Sequence, residues 1–176
     1  KRKEFDPKKG IKVKERTILD QRESGTTTAT SIHHRSILPR ATDGVQDGLD
    51  MAYDLQPDEE VEWMIIDFED AFFLVPTRPR ERKYGVAQFR GRSCVYLRVI
   101  QGCRGGPLVY CSVGALATRL VQSTFQDRAT HPRRCLEELR IQLYVDDPMH
   151  TARGNAQRRR RLFARAVLAW RVLGFP

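Results

Sequence analysis

The sequence predicts an α+β fold in which a largely antiparallel sheet packs on helices. Strand-like and helix-like segments follow one another irregularly along the 176 residues, in the order strand, helix, strand, hairpin, helix, strand, helix. Hydrophobic residues make up 40% of the chain, which is enough for one core in a chain of single-domain length. Mixed elements without strict alternation favour α+β over a parallel α/β fold.

The N-terminal quarter is predicted to hold little regular structure. Residues 1–14 are basic and poorly periodic, which indicates an arm or a mobile loop, and residues 16–20 read as a short strand. The polar stretch 25–31 is expected to be a loop. Thr42 or Asp43 can then cap a helix. The apolar positions of that helix are Val45, Leu49, Ala52 and Leu55.

The middle of the chain contains a strand, a hairpin and a helix. Residues 61–68 are predicted to form a buried strand, and residues 84–89 and 94–99 to form a hairpin around the turn at residues 90–92. Pro107 suits the first turn of a helix. The apolar positions of this second helix are Leu108, Cys111, Ala115, Leu116 and Leu120.

The C-terminal part is predicted to contain a strand at residues 139–145 and a final helix. The strand halts at Asp146-Asp147-Pro148, and Pro148 predicts a weakened return strand because it lacks an N–H. Asn155 caps the helix and Gly174 ends it. Its apolar face consists of Leu162, Phe163, Ala166, Val167 and Trp170.

Charge indicates a polyanionic partner. The net charge is +9 and the pI is about 9.8, which suits nucleic acid. No apolar run approaches the roughly 20 residues of a membrane span, and residues 1–14 do not resemble a secretory signal, so we expect an intracellular protein without a membrane partner. The run Arg158–Arg161 is assigned to a solvated helix face, with nucleic-acid contact as the alternative.

Two acidic clusters follow apolar strands. Asp67 ends the first strand, and Asp146 and Asp147 end a later one. Two carboxylates about 4 Å apart repel by roughly 4 kcal/mol, and a divalent cation reverses that sign. Oxygen ligands without a nearby His or Cys favour Mg²⁺ or Mn²⁺, and three carboxylates with two such ions form a phosphoryl-transfer site. The structural alternative is that an Asp-Asp pair is only a turn or a helix cap.

Three ordered motifs resemble those of retroviral and retrotransposon reverse transcriptases. Residues 67–76 (Asp-Phe-Glu-Asp-Ala-Phe-Phe-Leu-Val-Pro) resemble the first palm motif, residues 99–107 the Gln-Gly…Pro motif, and residues 144–147 (Tyr-Val-Asp-Asp) the polymerase hairpin. The outer aspartates are 146 − 67 = 79 residues apart, which leaves room for the hairpin and helix between them. The resemblance covers the chain from about residue 14 onward.

This resemblance implies a right-hand polymerase palm with a ferredoxin-like or RRM-like antiparallel sheet, plus partial fingers. The fingers would comprise about residues 1–35 and 77–105, and the palm about 36–76 and 106–176. The thumb and RNase H domain of the family are expected to lie beyond the chain, so residues 1–176 alone are expected to bind primer-template weakly and to extend it poorly or not at all. Exposed apolar surface is therefore expected near Trp170 and Phe175.

The resemblance also assigns catalytic roles. Asp67, Asp146 and Asp147 would be the catalytic carboxylates that hold two Mg²⁺ ions, or Mn²⁺, with Asp147 binding less directly. The backbone carbonyl of Phe68 would be a further metal ligand.

Other residues are assigned to substrates. Those expected at the incoming dNTP are Arg16, Asp70, Ala71, Phe72, Gln101 and Gly102. Those expected at the primer or the RNA or DNA template are Tyr144, Val145, Gly105 and Pro107. The Phe72 ring would exclude a 2′-hydroxyl; its alternative role is core packing beside Phe73. Asp70 has the alternative of capping a short helix, and Arg16 that of lying on a solvated face.

Three functions stay open at this point. The first is an RNA-directed DNA polymerase of a retrotransposon-like element. The second is a catalytically inactive, nucleic-acid-binding relic of such an element, which Pro148 favours. The third is an RNA-dependent RNA polymerase, which should carry a small or polar residue in place of Phe72. The sequence leaves the oligomeric state undetermined.

Overall fold

The computed structural model of the protein describes residues 2–6, 10–14, 20–125 and 138–175. The strand predicted at 16–20 lies almost wholly outside these residues, as does Arg16. Strand β1 (Arg2–Asp6) pairs antiparallel with β2 (Gly10–Lys14), so the described residues of the predicted arm are two paired strands and not an irregular segment. The alternation Ile11-Lys12-Val13 is the strand signal that the basic composition obscured.

The remaining elements follow the predicted order with two additions. Helix α1 (Thr26–Ala29) occupies part of the stretch predicted to be a loop, and β7 is the return strand that was expected after Asp146-Asp147 but not given bounds. The other elements are α2 (Ala41–Ala52), β3 (Glu60–Ile65), β4 (Val86–Phe89), β5 (Arg92–Val95), α3 (Gly106–Ser123), β6 (Leu139–Tyr144), β7 (Asp147–Gly154) and α4 (Ala156–Val172), with 3₁₀ helices at Ala71–Leu74 and Pro79–Tyr84.

The central sheet has three antiparallel strands in the order β3-β7-β6. Pro148 does not interrupt it. The Pro148 carbonyl accepts a hydrogen bond from the Ile66 N–H at 3.3 Å, so the Pro148 nitrogen also faces the β3 side. The β6–β7 hairpin therefore loses no hydrogen bond to the proline, and it keeps its full register from Leu139↔Ala152 to Tyr144↔Asp147. The hydrogen bond that the proline cannot donate is the one toward Ile66 on the β3 side, so the expected weakening falls there and not within the β6–β7 hairpin.

Helix α2 covers one face of this sheet through small and polar residues. Gly44 and Gly48 lie directly against the side chains of Met149 and Trp63, which leave no room for a Cβ atom. The buried Asp47 accepts hydrogen bonds from Arg140 and Gln142 of β6. The predicted apolar face was therefore wrong: the side chains of Val45 and Leu49 are exposed.

The cap of α2 is close to the prediction. Asp43 accepts a hydrogen bond from the Arg40 N–H at 2.7 Å, so it caps the helix from its third position and not from the position before it. Strand β3 departs further from the prediction. It is an edge strand whose Trp63 and Ile65 side chains are exposed, because nothing pairs with its outer edge among the described residues.

The hydrophobic core lies on the opposite face, under α3 and α4. Helix α3 buries Tyr110, Ala117 and Val121 and packs Gly114 against Leu143. Its predicted positions Leu116 and Leu120 are exposed, so that apolar face was also assigned wrongly.

Helix α4 buries the predicted face, including Leu162, Ala166 and Trp170. The Asn155 side chain caps it by accepting from the Arg158 N–H at 3.0 Å. At the other end Gly174 has φ +87, and the Phe175 N–H donates to the Trp170 carbonyl at 3.0 Å. This turn folds Phe175 back onto Trp170, and both rings are buried. The exposed apolar surface predicted near them is present, because the side chains of Leu168, Val172 and Leu173 are exposed.

The arginines at the start of α4 are not a uniformly solvated face. Arg159 is buried and bonds Glu60, Glu62 and the Gly154 carbonyl. Arg158 pairs with Glu138. These ion pairs tie α4 to the sheet. Across the described residues, no helix combines the length and the hydropathy needed to cross a bilayer.

Candidate active site

The backbone brings the two acidic clusters together where β3 ends and β6 turns into β7. This end of the sheet, which carries Asp67, Asp146 and Asp147, is called the acidic edge. Beyond β3, the chain stays hydrogen-bonded to the turn of the β6–β7 hairpin, where the Phe68 N–H donates to the Asp146 carbonyl at 3.1 Å. Asp67 therefore lies beside the turn that carries Asp146 and Asp147. Residues that are 146 − 67 = 79 positions apart in the chain are neighbours in space.

The three carboxylates share an electrostatic field. The pKa of Asp147 is raised by partial burial and then by the negative charges of Asp146 and Asp67. Among the described residues, no basic side chain forms an ion pair with any of the three. Repulsion between carboxylates that no cation offsets is the arrangement that a divalent ion relieves.

The carboxylates do not yet form a closed metal cage. Within residues 20–125 and 138–175, no three His, Cys, Asp or Glu side chains are grouped closely enough to hold a metal ion. The donor chemistry fits Mg²⁺, but the side chains would have to converge further around it. The metal roles of Asp67, Asp146, Asp147 and the Phe68 carbonyl therefore stay predictions.

The turn that carries Asp146 holds a strained residue. Val145 has φ +55, a left-handed conformation that is unfavourable for a β-branched side chain. Val145 and Asp146 are the two loop residues between the paired Tyr144 and Asp147. Positive φ at the first of two loop residues is typical of type II′ turns, where glycine is usual. The Tyr144 side chain is exposed beside this turn.

Phe68 fixes the position of Asp67. Its side chain is 2% exposed and packs on Trp170 and Phe175 at centroid distances of 4.9 and 4.7 Å. Since successive side chains of extended chain point to opposite sides, burial of Phe68 leaves Asp67 exposed. The C-terminal turn after α4 thus supports the first acidic cluster from beneath.

Phe72 stacks on a residue that sequence reasoning missed. Its ring lies 5.0 Å from the Tyr110 ring at an interplanar angle of 30°. Tyr110 is 0% exposed, and its hydroxyl has no hydrogen-bond partner within the described structure. Burial, followed by the charges of Asp146, Cys111 and Asp147, raises the Tyr110 pKa. The only sequence signal for Tyr110 was its position shortly after Pro107, near the start of α3.

Asp70 and Ala71 lie in the chain between Asp67 and Phe72, and their environments differ. Asp70 begins the 3₁₀ helix Ala71–Leu74 with φ +53, and its carbonyl, not its side chain, bonds the Phe73 N–H at 2.8 Å. The side-chain cap proposed as its alternative role is therefore absent. Ala71 is 3% exposed, so the structure gives a ligand little access to this residue.

The Gln-Gly…Pro segment enters α3 beside a cleft. Gly102 is exposed with φ +99, and Gly105 and Pro107 open the helix. The partly buried Gln101 precedes this turn. The cleft measures about 390 Å³ and is bounded by Gly105 and by side chains outside the acidic edge. These side chains include Gln21, Tyr84, Tyr96, Arg98 and Arg104.

Comparison with known proteins gives similarity of fold only. No protein-family profile and no curated protein matches the sequence. Among solved structures, the foamy viral protease–reverse transcriptase in complex with double-stranded DNA is similar with a TM-score of 0.56 and 13% sequence identity. The match covers 96% of this chain and 24% of that chain, so the chain spans about a quarter of that protein's length. The fold is therefore reverse-transcriptase-like.

Proposed function

We propose that this chain is the fingers-and-palm part of an RNA-directed DNA polymerase of the retroviral or retrotransposon type. The observation that carries the proposal is the meeting of Asp67 with Asp146 and Asp147 at one sheet edge, beside the backbone bond from Phe68 to Asp146. The reverse-transcriptase-like fold supports it. The fingers would comprise about residues 1–35 and 77–105, and the palm about 36–76 and 106–176.

The chain would transfer deoxynucleotides to a primer on an RNA or DNA template. Two bound Mg²⁺ ions would activate the attacking hydroxyl and stabilise the leaving pyrophosphate. Asp67, Asp146 and Asp147 would hold these ions, since their mutual repulsion favours a divalent cation at that edge. Phe72, supported by Tyr110, would lie beneath the sugar and exclude a 2′-hydroxyl.

The environment of Pro148 argues against an inactive relic. This residue favoured the relic because a proline weakens a hydrogen-bonded strand. The Pro148 nitrogen faces Ile66, just beyond the last β3–β7 pair, Ile65↔Met149. The hairpin that carries the aspartates keeps its register.

Primer extension with separate dNTP and NTP pools tests the proposal. In a full-length protein that includes this chain, on an RNA template with Mg²⁺, we expect dNTP-dependent extension that Asp67→Asn abolishes and Asp58→Asn leaves intact. Asp58 is the matched control, because it is an exposed aspartate outside the acidic edge. Extension with NTPs alone would indicate an RNA polymerase. Nucleic-acid binding with no extension from either pool would indicate the relic.

A further inference from the structure

Positive charge is concentrated around the β4–β5 hairpin. Residues 77–105 contain eight basic side chains and one acidic one, a net +7 within a chain of +9. The basic residues are Arg78, Arg80, Arg82, Lys83, Arg90, Arg92, Arg98 and Arg104. These residues lie on the β4–β5 sheet and on the segments before and after it, and none of them belongs to the three-stranded sheet β3-β7-β6.

Carboxylates do not neutralise this charge. Among the described residues, the only acidic partner of the eight is Glu81, 3.9 Å from Arg80. Where α4 meets the sheet, several arginines are paired: Arg153 with Glu59, and Arg159 with Glu60 and Glu62. These ion pairs neutralise part of the positive charge there, whereas the basic side chains of the hairpin side stay available to attract an anion.

Exposed aromatic rings accompany the basic residues. Phe89 is 63% exposed, and the Arg90 guanidinium lies 5.2 Å from its centroid. Tyr84 is 61% exposed, and the Lys83 ammonium lies 5.0 Å from its centroid. Register places Arg92 directly across from Phe89. Each exposed ring is therefore flanked by cationic groups and is not covered by the core.

We propose that this basic hairpin surface, comprising Lys83, Tyr84, Phe89, Arg90 and Arg92, binds an unpaired nucleic-acid strand. Cationic groups beside aromatic rings suit alternating contacts to phosphates and bases. An exposed ring can stack on a base only when that base is unpaired, so the surface fits a single strand better than a duplex.

The surface is long enough for more than one base. The turn at Phe89 lies about 14 Å along the strands from the end of the hairpin at Gly85, which adjoins the cleft lined by Tyr96, Arg98 and Arg104. A strand would thus meet aromatic and basic groups from the turn to the cleft. Its identification with the template ahead of the primer rests on the proposed function; the binding itself does not.

Fluorescence anisotropy without nucleotide tests the inference. The probes are a labelled single strand and a blunt duplex of the same sequence, each as RNA and as DNA. Phe89→Ala should weaken single-strand binding about fivefold or more, and Phe89→Tyr should restore it, because a stacked base contributes through the ring. Arg90→Ala with Arg92→Ala should reduce the slope of log K against log salt by about 1.4.

Two matched variants control for surface exposure and charge. Tyr53→Ala removes a 78% exposed aromatic ring at the C-terminal end of α2. Arg160→Ala with Arg161→Ala removes two exposed charges from α4. Both should leave single-strand binding unchanged. Circular dichroism checks that the hairpin variants fold.

Two outcomes would overturn the inference. One is equal weakening of blunt-duplex and single-strand binding by the hairpin variants, which would show a general charge effect. The other is unchanged single-strand binding in Phe89→Ala. Single-strand binding through the hairpin, together with no primer extension by a full-length protein that includes this chain, would contradict the proposed function alone.

Discussion

Replacement of Phe72 by valine separates sugar selection from core packing. The Phe72 ring stacks on Tyr110 at 5.0 Å and packs against the hydrophobic core. Loss of the stack costs about 0.5–1.5 kcal/mol, and loss of part of the ring's burial adds to it. The free energy of unfolding should therefore fall by about 1–3 kcal/mol in Phe72→Val.

The same substitution should change nucleotide choice if the ring lies beneath the sugar. Relief of a steric conflict of roughly 1–3 kcal/mol corresponds to about a 5- to 150-fold rise in ribonucleotide use relative to deoxynucleotide use. Competing dNTP and NTP incorporation measures the ratio, and denaturant unfolding measures the stability of the same samples. Phe72→Tyr keeps the ring and should keep the preference.

Phe73→Val is the matched control, since Phe73 is also a partly buried aromatic of the same 3₁₀ helix. It should lower stability without changing sugar preference. A Phe72→Val protein that loses stability but keeps its dNTP/NTP preference would show that Phe72 only packs the core, and it would remove the support for deoxynucleotide selection.

The remaining predictions concern the acidic edge and the core beneath it. Asp67→Asn or Asp146→Asn should abolish nucleotide addition without lowering the unfolding free energy; near-normal extension by either would refute the two-metal assignment. Tyr110→Phe removes a buried hydroxyl that has no hydrogen-bond partner among the described residues, so the unfolding free energy should rise by about 1 kcal/mol, and a decrease would mean that the hydroxyl is bonded. His150 is buried, accepts from Trp170 at 2.8 Å, and has a pKa lowered below 6.5 by burial. Its neutral form therefore stabilises the fold fully above pH 6.5, and that contribution is lost as pH falls toward the folded-state pKa. Unfolding free energies that do not decrease between about pH 8 and about pH 5.5 would contradict this reasoning.

Local signals in the sequence determined where several elements begin and end. Asn155 caps α4, Gly174 ends it, and Pro107 opens α3, as predicted. The Arg90-Gly91 turn joins β4 and β5 with positive φ at both residues. Each of these features depends on interactions between residues a few positions apart, so their types and spacing are sufficient to predict them.

The sequence also predicted which aspartates come together. Asp67 and the pair Asp146-Asp147 each end an apolar strand, and strand ends of one sheet can share an edge. Their order and motif context gave the pairing. Whether they bind metal stays a prediction, because ion binding depends on side-chain convergence that strand ends alone do not fix.

Tertiary structure alone decided which sides of α2 and α3 are buried, whereas the face predicted for α4 is the buried one. Val45 and Leu49 of α2 and Leu116 of α3 look like core residues by periodicity, yet they are exposed. The sheet instead receives Gly44 and Gly48, because close approach of α2 to Met149 and Trp63 requires residues without a Cβ atom. Burial is decided by the shape and charge of surfaces that are distant in the chain, and periodicity along one element carries no information about the surface that it will meet.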